Sequence, residues 1–272
     1  MAHHNGGKVA LCFPGQLNKV PEAIGKKSGG GYSLPHPFFE KAWEQAGFDL
    51  ASFFFQREEE DQYLNLKLQV ASYVLSMVSF ERYQKKSKQW DVITEHSMGI
   101  YAALVAAEAM TFEGGLAMVK GVGLILEKGA KENPGGMAAV IGLERVAITR
   151  ICAGIGNLYV ANVNGSRQFV LSGGVSSIEG GLELALQRGA VSAQRLTLTV
   201  PLHSPLMESI KEDVRLFITG FDIHPPRTPV VSHWSGKPLN DPDEIRNFLV
   251  EELCHPVEWE GCVQYLLSQG VT

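Results

Sequence analysis

Val92 to Ala107 is the stretch that most constrains what this chain can fold into. A short β-like run, Val92-Ile93-Thr94, leads into Glu95-His96-Ser97-Met98-Gly99, and an Ala-rich helical run, Ala102 to Ala107, follows. A serine between strand and helix, with Gly two residues on, has the outline of a nucleophile elbow. The turn lifts the hydroxyl above a sheet, and the next helix aims its N-terminal N–H groups and positive dipole end at whatever reacts there. The pattern wants G-x-S-x-G; here Glu95 holds the first position. An ordinary strand–turn–helix joint with a surface serine has the same outline, so the rest of the chain must decide.

With 272 residues, 45% hydrophobic and 19% charged, the chain can bury a large core, as one big domain or a domain carrying a smaller insert. The net charge of −5 and the lack of a long basic run argue against nucleic acid; Lys85-Lys86-Ser87-Lys88 reads as a solvated helix end. Four cysteines, Cys12, Cys152, Cys254 and Cys262, are widely spaced without a C-x-x-C, which suggests a reducing compartment and no structural metal. No apolar run reaches membrane-spanning length and no signal-peptide core is present, so a cytoplasmic location and no membrane partner are expected. Met1 to Gly7 reads as a leader, and His3-His4 is not read as a metal site.

Lys8 to Phe13 reads as a buried strand, stopped by Pro14-Gly15-Gln16. A glycine-rich loop runs to about Leu34, and Pro37 to Ala46 is an amphipathic helix ended by Gly47. Gln56 to Asp61 is an acidic solvated run, and Leu66 to Gln84 carries apolar residues at helical spacing. Another helix is expected from Glu113 to about Ala130. The texture then changes: strand Met137–Gly142, helix Val146–Ile155, strand Leu158–Val163, a turn at Asn164–Ser166, strand Gln168–Gly173, helix Val175–Arg188 and strand Ala193–Leu198. This β-α-β-β-α-β order is the ferredoxin-like pattern. The expected fold class is α/β: a large α/β-hydrolase-like domain with a parallel sheet core, residues 8–133 and 200–272, carrying an inserted ferredoxin-like α+β subdomain, residues 134–199. Helices to about Thr219, from Asp243 to Leu253 and from Glu258 to Ser268, with a strand at Pro229–Ser232, complete the large domain.

A serine nucleophile needs a base, and histidine titrates in the right range. His36, His96, His203, His224, His233 and His255 are available. His96 adjoins Ser97 but neighbours on a tight elbow point apart; His224 and His255 each precede a proline and read as loop residues. Spacing does not choose among the others.

Four segments occur in order: Phe13-Pro14-Gly15-Gln16, Glu95-His96-Ser97-Met98-Gly99, Asn162 to Gly173, and Pro201-Leu202-His203-Ser204-Pro205-Leu206-Met207. Together they resemble the malonyl-CoA:acyl-carrier-protein transacylase family, the acyltransferases of fatty-acid and polyketide biosynthesis, from about Val9 onward. The resemblance implies that Ser97 is acylated, that His203 is the general base, and that the backbone N–H groups of Gln16 and Met98 form the oxyanion hole. It places Gln69 in the acyl pocket and Asn162, Asn164 and Gln168 near the substrate cleft. It implies acyl-CoA and an acyl carrier protein as substrates, no metal or redox cofactor, and ping-pong transfer. A monomer is expected.

The departures carry as much information. In that family an arginine on the helix after the elbow pairs with the malonyl carboxylate; Val122 holds its place, and Lys120 sits about 200° around the helix. A buried carboxylate without a partner is costly. A neutral acyl group, acetyl or longer, is therefore expected. Glu95 replaces a family glycine, Ile100 a glutamate and Leu17 a glycine; Glu95 should either point outward or distort the turn. Hydrolysis that clears acyl groups from a carrier protein, or a catalytically weak acyl-binding partner in a synthase, are the competing readings. Family members continue past Gln-Gly-Val to a G-P-G turn whose carbonyl orients the histidine; this sequence ends at Thr272, so His203 is expected to need another orienter.

Overall fold

The structure is a computed structural model that describes residues 7–16, 36–47, 49–50, 53, 63–87 and 89–272. The expected leader, the glycine-rich loop and the acidic run fall almost wholly outside them. A first sheet orders its strands β1 (Ala10–Phe13), β2 (Val92–Glu95), β7 (Val230–Val231) and β8 (Pro238–Leu239) as β1-β2-β7-β8. The first three are parallel and β8 turns back antiparallel. The register pairs Phe13 with Glu95, so the ends of β1 and β2 sit side by side where the elbow begins.

Helices pack around this sheet. α1 (Pro37–Ala46) starts with Pro at its first turn, takes a cap from His36 Nδ1 and stops at Gly47, φ +82°. α2 (Leu64–Lys86) is buried along most of its first half, from Asn65 to Val78. α3 (Gly99–Ala106) follows the elbow and is buried on nearly all sides, as its run of Ala, Ile, Leu and Tyr requires. α4 (Phe112–Glu132) is capped by the Thr111 hydroxyl on the Gly114 N–H. No helix among the described residues is long and apolar enough to cross a membrane.

The chain then builds a second sheet. β3 (Gly135–Ile141), α5 (Arg145–Ile155), β4 (Leu158–Gly165), β5 (Gln168–Gly174), α6 (Val175–Gln187) and β6 (Ser192–Arg195) succeed one another. The strand order is β4-β5-β3-β6 and every pairing is antiparallel. This sheet encloses its own apolar cluster, with Phe169, Leu171, Ile148 and Ile151 at its centre, separate from the larger core around α2, α3 and α4. β6 stops at Arg195, short of the expected Leu198, because Leu196 and Leu198 turn away to line a cleft.

α7 (Lys211–Ile218), α8 (Pro242–Glu251) and α9 (Trp259–Ser268) complete the chain, with 3₁₀ turns at Pro205–Ile210 and Glu252–Cys254. α8 begins on Pro242, with the Asp241 carboxylate accepting from the N–H groups of Asp243 and Glu244. The segment after the second 3₁₀ turn ties the two sheets together. Val257 N–H donates to Ala161 O and Val163 N–H to Val257 O, both at 2.8 Å, and Glu258 N–H donates to His233 O. Arg145 of α5 meets the Glu258 carboxylate with both terminal nitrogens.

Candidate active site

β2 delivers Ser97 and its sharp turn. Ser97 has φ +56°, in the left-handed region that costs a non-glycine residue about 1–2 kcal/mol. His203, φ +57°, shares that strain; only Glu108 and Asn157 do so among the other described non-glycine residues. Strain of this kind gathers at functional sites. Gly99 makes the turn possible: a Cβ there would lie 2.6 Å from Phe13 O and 2.8 Å from Pro14 O. At this point the elbow and the end of β1 therefore meet backbone to backbone.

Ser97 Oγ and His203 Nε2 are 2.7 Å apart. His203 Nδ1 donates to Glu252 O at 2.8 Å and lies 3.1 Å from His255 O. Those two carbonyls hold the proton on Nδ1 and leave Nε2 as the acceptor for the hydroxyl. His203 is thus oriented from the Glu252–Cys254 turn and its flank, which supply the other orienter that the sequence called for. Its ring is 3% exposed and burial pulls its pKa down to about 3, so it is neutral and ready to accept a proton.

Glu95 also departs from expectation. It points neither to solvent nor against the turn; it is fully buried behind the elbow. Its Oε1 accepts from His233 N–H at 3.0 Å, and its Oε2 lies 2.7 Å from His233 Nδ1. Ser97 N–H reaches the same Nδ1 at 3.3 Å. Burial raises the Glu95 carboxyl to about 8 and pulls His233 down to about 3, so the pair carries no net charge at neutral pH. Glu252 Oε2 stands 3.7 Å from both His203 Nδ1 and His233 Nε2, and its burial raises its pKa well above the ordinary carboxylate range. His203, His233 and Glu252 form the one grouping of metal-ligand type among the described residues. His203 is engaged at both nitrogens, whereas His233 Nε2 and Glu252 Oε2 are buried without a hydrogen-bond partner, so the grouping is a packed acid–base cluster rather than a bonded network.

Ser97 and His203 open onto a cleft of roughly 330 Å³ between the two sheets. Gln16, Met98, Gln69, Asn162 and Asn164 line it, and Met137, Val170, Leu196, Leu198 and Leu202 make the rest largely apolar. Both amide atoms of Gln16 and Oδ1 of Asn162 are buried without a hydrogen-bond partner, free to meet a ligand. His96 points away from the hydroxyl beside it and shares its Nε2 with Asn164 Oδ1 at 2.9 Å. Two expected residues are not in the lining. Val122 is buried in the core on α4, one residue before Gly123, whose Cβ position would come 3.0 Å from Gln69 Oε1. Gln168 is exposed at the β4–β5 hairpin, paired with Gly165. Lys120 does point elsewhere, onto Gln45 O. Sequence reasoning missed His233 and Glu252 as partners of the site; the unusual Glu at position 95 was the signal that a buried partner had to exist.

Comparison with known proteins fits this geometry. The model of the acyl transferase domain matches residues 40–269. A malonyl CoA-acyl carrier protein transacylase of Bacillus subtilis is 30% identical over 269 residues, covering 97% of this chain and 84% of the relative. The polyketide biosynthesis protein ThaF of Burkholderia thailandensis is 31% identical over 268 residues, 96% of this chain but 22% of that longer protein. The solved structure of the malonyl CoA-acyl carrier protein transacylase from Coxiella burnetii superposes with a TM-score of 0.86 at 27% identity, covering 97% of this chain and 85% of the other.

Proposed function

The chain belongs to the acyl transferase domain family, and from that premise we propose that it moves an acyl group from coenzyme A, through an ester on Ser97, to the phosphopantetheine thiol of an acyl carrier protein. The observation that carries the reading is the 2.7 Å contact between Ser97 Oγ and a buried, neutral His203 whose other nitrogen is fixed by backbone carbonyls. Ser97 attacks the thioester carbonyl while His203 takes its proton. The amides of Gln16, after β1, and of Met98, on the elbow, hold the oxyanion, each worth roughly 3–4 kcal/mol. The protonated His203 returns its proton to the departing coenzyme A thiolate. The carrier thiol then attacks the ester, with His203 accepting that thiol's proton and giving it to Ser97 Oγ as it leaves. No metal or redox cofactor enters these steps.

The acyl group is neutral in this reading. Beyond the amides, Ser97, His96 and His203 the lining is apolar, it holds no Lys or Arg among the described residues, and Val122 brings no charge to the side where the family places its arginine. A malonyl carboxylate would lose its hydration there without gaining a guanidinium. The strand order of the second sheet and its separate apolar cluster support the division into a large domain, 8–133 with 200–272, and a ferredoxin-like subdomain, 134–199.

Intact-mass detection of the adduct with a panel of acyl-CoAs tests the proposal. Acetyl or longer neutral groups should add to the wild type and not to Ser97→Ala. Fast, saturating malonylation with slow acetylation refutes the neutral substrate. Free acid released without a carrier protein replaces transfer by hydrolysis, and no adduct from any donor removes the enzyme reading.

A further inference from the structure

Glu95 and His233 lie outside the steps just described, yet they touch the nucleophile's backbone. Four observations bear on what they do. Ser97 holds a left-handed backbone that a serine does not favour. Its N–H reaches His233 Nδ1 at 3.3 Å. Glu95 grips His233 twice, at the backbone N–H and at Nδ1. The pair itself is sealed from water, with both side chains fully buried. A carboxyl placed there is desolvated at a cost that an apolar residue would avoid, so a structural filler is a poor account of it.

We propose that Glu95 is a positioning residue: acting through His233, it braces the Ser97 backbone in the conformation from which the hydroxyl meets His203, on the reading that this hydroxyl is the nucleophile. As the neutral acid, Glu95 donates its O–H to His233 Nδ1, and the weaker Ser97 N–H contact shares that nitrogen. When Glu95 loses that proton to solvent, the imidazole's own proton shifts from Nε2 to Nδ1, where the carboxylate accepts it. The Ser97 N–H then faces an N–H and loses its acceptor, and the brace slackens. The groups facing Glu95 are His233 on the turn after β7, His96 on the elbow, Glu252 on the 3₁₀ turn and Cys262 on α9. Burial has pulled both histidines down and pushed Cys262 up to about 12, so these three stay neutral while Glu95 titrates, and it holds the Glu252 carboxyl well above the ordinary carboxylate range.

The test reads nucleophile reactivity without any acyl donor. A fluorophosphonate probe is reacted with the purified protein, and phosphonylation of Ser97 is followed by intact mass to give kinact and KI. Glu95→Ala should lower kinact about 10-fold or more and leave KI within about twofold. Glu95→Gln should hold kinact within about threefold, since its amide donates to Nδ1 and accepts from His233 N–H as the neutral acid does. Wild-type kinact should fall between about pH 7 and 9, and that of Glu95→Gln should stay level. The idea is overturned by Glu95→Ala reacting at the wild-type rate, by Glu95→Gln falling as far as Glu95→Ala, by a loss confined to KI, or by identical pH profiles for wild type and Glu95→Gln. The pH comparison decides the matter if Glu95→Ala fails to fold. A wild type that the probe does not label overturns the brace and the nucleophile together. A wild type that reacts with the probe but with no acyl-CoA removes the proposed activity and leaves the brace standing.

Discussion

Gly99→Ala sets two effects of opposite sign against each other. Gly99 opens α3 with ordinary helical geometry, so on propensity alone an alanine stabilises the helix by up to about 1 kcal/mol. The new methyl, however, lies 2.6 Å from Phe13 O and 2.8 Å from Pro14 O. That is roughly 0.7 Å inside the ~3.3 Å at which C–H···O contacts begin. Both atoms are backbone carbonyls at the end of a sheet strand and cannot rotate aside. Overpacking costs about 1–3 kcal/mol, with rigid neighbours at the upper end, so the net is a loss of about 2 kcal/mol, or roughly 4–8 °C in Tm for a chain of this size. The displacement has a direction as well as a size. It pushes the β1 end, which carries Gln16, away from the turn that carries Met98, and so opens the proposed oxyanion hole. Misplacement near 1 Å costs about 100-fold in rate, so the single-turnover rate of Ser97 acylation should fall roughly 10- to 100-fold. Differential scanning fluorimetry and intact-mass kinetics at saturating acetyl-CoA measure the two effects. A Tm at or above wild type with acylation within twofold refutes the steric account of the elbow.

Other expectations follow from the same site and its surroundings. His203→Ala should retain the fold and lose about 10²–10⁴-fold in acylation, read by the same mass assay. Glu95 holds its proton in the folded state from its ordinary value of 4.5 up to about 8 and releases it on unfolding; its contribution is therefore lost as pH rises through that window, and the Tm of Glu95→Gln minus that of wild type should grow from pH 5 to pH 8.5. The histidines act at the other end. With folded values near 3 against 6.5, His203 and His233 stay neutral where the unfolded chain charges, so their contribution to the urea-unfolding free energy should drop as pH falls from 6.5 towards 3. Tyr73→Phe removes the buried bond to Phe112 O and should cost about 1 kcal/mol in urea melts with acylation unchanged.

Much of the fold could be read along the chain because its signals are local. Pro37 and Gly47 bracket one helix, Asp241-Pro242 opens another, and the Asn164–Ser166 turn closes a hairpin. Two-residue strands escape such reading: β8, Pro238–Leu239, has no periodicity of its own and exists because Val230 and Val231 offer it an edge. The site was legible where a motif tied residue type to backbone, as at Ser97 and His203. It was not legible where the partner is remote. Glu95 meets His233 across 138 residues, and an outward or distorting glutamate was the only alternative that local sterics could supply. The base was expected to need an acceptor from elsewhere because a carbonyl has no residue identity to betray it; any residue at 252 could provide one. Gln168 and Val122 show the converse, where positional likeness fixes the neighbourhood of a side chain and not its direction.

The short parallel pairing of Val257 with β4 has a mechanical meaning. It joins the two walls of the cleft beside the segment whose carbonyls grip the imidazole, and the Arg145–Glu258 fork rivets the same side. Any force that parts the walls has to work first against these bonds, on the side where the hydroxyl and the ring sit.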